Sequence, residues 1–378
     1  MKFNSAVENL QYSLIRVLKN EATKYPNSID LTIGEPDIGT PKGLIEEAME
    51  YGKNHQLKYA PSGGGEKIGA LVAEYYNKNY KGEYSEKNVI MNIGASEALS
   101  SALRTVLNPD DEVLLTVPFY PGYPPMINLC YGKPVLIDIS KNNFTLTKEL
   151  LEKYATSKTK ALLLSNPCNP TGKVLSYEEM EEITKFIEER EIFLISDEIY
   201  SSLSFYEFHS FAEFKNIKDK LIIINGFSKS HSMTGWRLGY TICPEQYRKF
   251  FLNTSFYTVS SPVTLSLKGG EIALTKFENR KELSEEYRKR AEFMSSELKK
   301  LGFDVITPQG AFYIFANYSK ISTLNSLDFT LDLLRKTQVA VVPGISFGVE
   351  NYIRIALTVD ISLLELAIER MKNINQFD

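Results

Sequence analysis

The chain runs to 378 residues, 43% of them hydrophobic and 24% charged, with a formal net charge of −4. That length predicts one large domain beside a smaller one, and the composition predicts a globular protein with a sizeable core. The mild negative balance argues against nucleic-acid or membrane partners, and no run approaches the ~20 apolar residues of a membrane span. The opening MKFNSAVENL lacks the apolar stretch of a secretory signal. Three scattered cysteines, Cys130, Cys168 and Cys243, make neither a metal-spaced set nor a disulfide framework, so a reduced, cytoplasmic setting is expected. Only His55, His209 and His231 are present, none in a recognisable motif. A histidine-based triad or a zinc site is poorly supplied, and no metal is expected.

In chain order, the first forty or so residues read as an arm and a loop. From about 85 to 245, short apolar runs alternate with amphipathic stretches, which predicts a mostly parallel sheet with crossover helices. NVIMNI leads through Gly94-Ala95-Ser96 into the helix EALSSALRTVL. Four clear strands follow: VLLTVPFY (113–120), ALLLSNP (161–167), IFLISDEIY (192–200) and LIIINGFSK (221–229). The last three begin about thirty residues apart, the length of a strand–helix–strand unit. Between the second and third, Ser176 and Glu179 read as a capping box, with Met180, Ile183 and Ile187 on one helical face. A long charged helix is expected near 277–300, ending at Gly302. After it the pattern becomes α+β: GAFYIF (310–315), a helix around DFTLDLLRK, strands QVAVVP and NYIRIALTV, and a helix opened by Asp360. The predicted division is 46–282 for the large domain, with 1–45 and 283–378 as arm and small domain.

In parallel sheets, ligands gather outside the carboxyl ends of the strands, and here each apolar run ends abruptly in polar residues. ALLLS gives way to Asn166-Pro167-Cys168-Asn169-Pro170-Thr171-Gly172, IFLIS to Asp197-Glu198-Ile199-Tyr200, and LIIING to Ser228-Lys229. With the helix start at Gly94, four strand ends offer an amide, a carboxylate, a phenol, a lysine and an anion-ready helix N-terminus. Each feature has a plain alternative. Lys229 fits a surface charge, Asp197 a helix cap, NPCNPTG a rigid loop, and Arg237 and Arg354 surface ion pairs. The plain alternatives struggle with all of them together, in this order, on one sheet.

INGFSKSHSMTGWRLGY (224–240), taken with NPCNPTG and SDEIY, resembles the class I/II aminotransferases of the pyridoxal-phosphate (PLP) fold type I, over essentially the whole chain. YPGYPPMINLCYGKPV (120–135) and SKSHSMTGWR resemble the branch that contains bacterial N-acetyl-diaminopimelate aminotransferases. The resemblance implies that Lys229 holds PLP as a Schiff base and that Asp197 pairs with the ring nitrogen. It also implies that Asn169 and Tyr200 hydrogen-bond the phenolate oxygen and that Tyr120 stacks on the ring. Ala95, Ser96, Ser228 and Arg237 match the phosphate cup. Tyr59 matches a tyrosine that reaches the phosphate of a neighbouring subunit, which implies a homodimer with shared sites. Arg354 matches the arginine for the substrate α-carboxylate, and Gly34 a position whose backbone approaches the substrate, with Asn169 close by.

The implied reaction is a ping-pong transfer of an amino group from an L-amino acid to a 2-oxo acid such as 2-oxoglutarate. N-acetyl-diaminopimelate, aromatic, alanine and aspartate substrates all stay open. A PLP-dependent C–S β-lyase remains the nearest alternative. A non-catalytic PLP-sensing regulator is more remote, because the match starts by residue 31 and leaves no room for a DNA-binding domain ahead of it. Two departures from the family stand out: Tyr120 is smaller than the tryptophan often found there, and Ile68-Gly69 replaces a leucine-arginine pair. Gly69 in a helix interior costs about 1 kcal/mol relative to alanine and puts local packing in question.

Overall fold

The computed structural model describes residues 1–8, 10 and 12–372. The end of the expected small domain, 373–378, lies outside these, as do two positions of the expected arm. The large sheet has seven strands: β1 (Val89–Asn92), β2 (Glu112–Val117), β3 (Lys133–Asp138), β4 (Thr159–Ser165), β5 (Phe193–Asp197), β6 (Leu221–Gly226) and β7 (Gly239–Ile242). Their order across the sheet is β1-β7-β6-β5-β4-β2-β3. Every pairing is parallel except those of β7, which runs antiparallel between β1 and β6. The central strands are unbroken apolar runs because both of their faces are covered. Leu162, Leu164, Leu194 and Ile223 enter the core on one side, and Leu163, Ile195, Ile222 and Ile224 the core on the other.

Several boundaries differ from the sequence expectation. The run 113–120 leaves the sheet at Val117, ahead of Pro118, which has no N–H to give the ladder. The run 192–200 ends as a strand at Asp197, and 221–229 ends at Gly226, so Lys229 sits in a short helix, Phe227–Ser230. β3 was not among the predicted strands. It is an edge strand in which Ile137 alone is buried, so its sequence carries no continuous apolar run. Helix Tyr177–Glu188 is as expected: Ser176 and Glu179 form a reciprocal capping box, and Met180, Ile183 and Ile187 are buried. Gly69 lies within helix Glu66–Tyr80, where a Cβ would come to 3.3 Å from Glu86 Cβ and 3.4 Å from its Cα. The helix is continuous, and its glycine lets the turn Glu86–Asn88 pack closely against it.

The second sheet is antiparallel: β8 (Asp304–Val305), β9 (Tyr313–Asn317), β10 (Val342–Pro343) and β11 (Tyr352–Ala356), in the order β10-β11-β9-β8. Helices Lys281–Lys300, Ser326–Thr337 and Ile361–Met371 enclose a separate core with it. The long helix begins four residues later than expected, and Asp360 caps the last helix through Ser362 N–H. QVAVVP divides into two short strands, Val339–Ala340 pairing with the arm at Ile29–Asp30 and β10 pairing with β11. The arm is more structured than predicted. It contains helix Leu14–Ala22, whose Leu18 and Ala22 are buried one turn apart. The expected boundary at 45/46 falls inside helix Lys42–Asn54.

Candidate active site

The topology sends the carboxyl ends of β1, β4, β5 and β6 to one edge. Because β7 runs the other way, its first residue, Gly239, pairs there with Asn92 and Gly226. A cavity of ≈ 470 Å³ opens at this edge. Ala95, Ser96, Tyr120, Asn169, Asp197, Tyr200, Ser228, Lys229, Arg237, Gly34 and Arg354 all line it. Tyr59 does not. It stands 90% exposed beside Leu57 and Val263 at a separate groove, so within one chain it is no part of this cavity.

Lys229 follows β6 by three residues, and its Nζ donates to the Gly34 carbonyl at 2.6 Å. Burial disfavours the ammonium form and brings its pKa down from 10.5 to about 8, with Arg237 and Arg354 adding repulsion and Glu35 opposing it. Asp197 closes β5. Its Oδ2 accepts from Tyr123 Oη at 2.8 Å and its Oδ1 from Ile199 N–H at 3.2 Å. Burial raises this carboxyl from 3.8 to about 6, against the pull of those two donors. With two donors among the described residues, the carboxyl keeps acceptor capacity for a group entering the cavity.

Helix Gly94–Val106 points its N-terminus into the cavity, where free backbone N–H groups and the helix dipole favour an anion. Gly94 has φ +74°, and a Cβ there would come to 2.6 Å from Arg237 Nη2. The missing side chain is therefore what lets the guanidinium lie against the helix start. Arg237 is held by its Nη1 donating to Thr234 O at 2.9 Å. Gly239 plays the matching role from the sheet, where a Cβ would sit 2.5 Å from Ala95 N.

Arg354, on β11, is 2% exposed. Nη1 donates to Asn169 Oδ1 at 3.2 Å and Nη2 to Thr32 O at 2.5 Å, while its guanidinium lies 4.4 Å from the Tyr313 ring centroid and 5.1 Å from that of Phe347. Its Nε has no partner among the described residues. A buried arginine with an unmet donor, lining the cavity and packed against two aromatic rings, is prepared for a carboxylate.

Five participants carry no signal in the sequence. Tyr123 is fully buried and fixes Asp197; its place in YPGYPPM, six residues beyond β2, gives no periodic signal. Tyr313 hydrogen-bonds Tyr200, hydroxyl to hydroxyl, at 2.8 Å. In sequence it reads only as part of the apolar run GAFYIF. Ile15, Arg16 and Lys19 of the arm helix also line the cavity, and nothing local in the sequence announces it.

The residues present fit a cofactor with an anionic group, a basic ring nitrogen and a carbonyl. They offer a helix start and Arg237 for the first, the buried Asp197 for the second and the Lys229 amine for the third. The sequence profile of the family described as "Aminotransferase class I and II" matches residues 26–371. The chain is 37% identical to a probable N-acetyl-LL-diaminopimelate aminotransferase of Bacillus subtilis, covering 98% of this chain and 94% of the relative. It is 35% identical to an aspartate aminotransferase of Bacillus sp. strain YM-2, over 91% of this chain and 90% of that one. Among solved structures, an aspartate aminotransferase from Thermus thermophilus with maleate superposes with a TM-score of 0.94 at 28% identity, over 99% of this chain and 100% of that chain.

Proposed function

Because the chain belongs to the class I and II aminotransferase family and is itself a transaminase, we propose that its cavity holds pyridoxal 5′-phosphate on Lys229 and that Asp197, Asn169, Tyr200 and Arg354 perform the transfer. The observation that carries this reading is the pairing, at one sheet edge, of a buried carboxyl with an amine whose pKa has fallen to about 8. The bound cofactor supplies a carbonyl that captures the substrate amine and a ring that accepts electron density from Cα.

The chain's own residues do the rest. Arg354 receives the α-carboxylate through its fork and sets the amino acid's orientation, with the Gly34 backbone alongside. Lys229, neutral in a useful fraction near pH 8, takes the proton from the substrate Cα. Asp197 keeps a cationic N–H partner in place, and that partner in turn favours the ionised carboxylate. Tyr200 and Asn169 donate toward the cofactor's ring oxygen, and Tyr120 covers the ring. Ala95, Ser96, Ser228 and Arg237 would hold the phosphate. The substrates are an L-amino acid and a 2-oxo acid. The chain acts as a homodimer in which Tyr59 reaches the neighbouring phosphate. The exposed side chains of Leu57, Tyr59 and Val263 at one groove support a second copy covering that face.

The test is a half-reaction. Protein loaded with PLP, mixed with a panel of amino acids, should lose the absorbance of the Lys229 linkage and yield pyridoxamine phosphate. Lys229→Ala should show neither the linkage absorbance nor turnover, and turnover retained in that variant would overturn the assignment. Release of pyruvate and ammonia from a sulfur amino acid, in place of pyridoxamine phosphate, would instead assign a β-elimination.

A further inference from the structure

Tyr313 bridges three parts of the cavity. It opens β9 and is 2% exposed. Its ring faces the Arg354 guanidinium at 4.4 Å, and its hydroxyl meets the Tyr200 hydroxyl at 2.8 Å. The same hydroxyl occupies the space beside Gly34, where a Cβ would lie 1.9 Å from it. Gly34 in turn offers its carbonyl to Lys229. One side chain thus touches the group assigned to the substrate carboxylate, the phenol assigned to the cofactor's ring oxygen, and the peptide that holds the catalytic amine. The titratable and charged groups around it are Arg354 from β11, Tyr200 beyond β5 and Tyr120 beyond β2.

We propose that Tyr313 is a positioning residue with two separable duties: its hydroxyl orients Tyr200, and its ring holds Arg354 flat for the carboxylate. The inference rests on the PLP reading above. With Tyr313 donating its O–H to Tyr200 Oη, the direction the proposal assigns, the Tyr200 O–H is left to aim at the ring oxygen and becomes a stronger donor, because hydrogen bonds in a chain strengthen one another. A stronger donor to the ring oxygen withdraws negative charge from it, and that oxygen otherwise stabilises the proton on the Lys229 linkage. The hydroxyl of Tyr313 therefore lowers the proton affinity of the linkage without touching it. The ring acts at a different place. Stacked on the guanidinium, it keeps Arg354 planar to the cavity and excludes water from one of its faces.

The two duties predict different phenotypes, so two variants separate them. Tyr313→Phe keeps the ring and removes the hydroxyl. In PLP-loaded protein it should raise the midpoint of the spectrophotometric pH titration of the linkage by about half to one unit, the scale of one ordinary hydrogen bond. The KM for amino acids should stay within about twofold. Tyr313→Leu removes both groups; it should shift the midpoint in the same direction and also raise KM for every α-carboxylate substrate by about tenfold or more. An unmoved midpoint in Tyr313→Phe would overturn the hydroxyl's duty, and an unchanged KM in Tyr313→Leu would overturn the ring's. Circular dichroism and the linkage absorbance of each variant establish that it folds and loads. If the unsubstituted protein itself forms no linkage, the PLP reading fails and this inference with it. If it forms the linkage and the variants behave like it, only the role of Tyr313 falls.

Discussion

Asp197 and Glu198 follow one another at the end of β5 and face opposite sides of the sheet. Both carboxyls are deeply buried, and burial raises both, Asp197 to about 6 and Glu198 to about 7. Their surroundings differ. Glu198 accepts from four donors, Tyr76 Oη, Ser196 Oγ, Ser210 Oγ and the Phe211 N–H, and packs against the core on the side of helix Glu66–Tyr80. Through Tyr76 the network reaches Asn225 on β6, which also bonds Ser201. Asp197 has two donors and an open side toward the cavity. A perturbed carboxyl marks a functional site only where some of its acceptor capacity is left for a ligand. Where the protein itself takes up that capacity, the same perturbation marks a strut between strands.

The comparison can be broken most directly by exchanging each carboxylate for its amide. Asp197→Asn should lower kcat by about 100-fold or more, the scale of losing a preorganised electrostatic partner in a buried site, whereas Glu198→Gln should keep kcat within a few fold. Equal losses in steady-state assays would mean that the rear network is as much a part of the chemistry as the cavity face. Next in size, Arg354→Ala should raise KM for all α-carboxylate substrates by roughly 100-fold, as expected for removing one member of a buried ionic contact. An effect confined to some amino acids would show that Arg354 reads the side chain instead. The smallest effect concerns stability. Burial lifts Glu198 from 4.5 to about 7, so between those values the folded protein keeps a proton that the unfolded chain has released. Its contribution is full below about pH 4.5 and is lost as pH rises through about 7. Glu198→Gln should therefore lose less Tm than the unsubstituted protein between pH 5 and pH 8; parallel Tm–pH curves would place the strut's stability elsewhere.

Much of the cavity was legible in the sequence, for a physical reason. Strands buried on both faces are forced to be apolar, so the breaks in the apolar runs at Ser165, Asp197 and Gly226 mark the sheet edge without any knowledge of pairing. The resemblance then supplied roles for Lys229, Asn169 and Arg237 that apolar runs cannot give. Less legible were elements whose burial is one-sided or short, such as β3, the arm helix and the two halves of QVAVVP. Their side chains answer to neighbours far away in the chain.

What the sequence determined by itself was therefore the identity and order of the groups that end the central strands, because burial in a parallel sheet writes a continuous pattern along the chain. What only the tertiary structure decided was which distant groups meet them. The antiparallel insertion of β7 carries Arg237 to the edge, Gly94 leaves room for its guanidinium, and β9 sets Tyr313 between Arg354 and Tyr200. These contacts join residues far apart in the chain and depend on space and register, which no local pattern encodes.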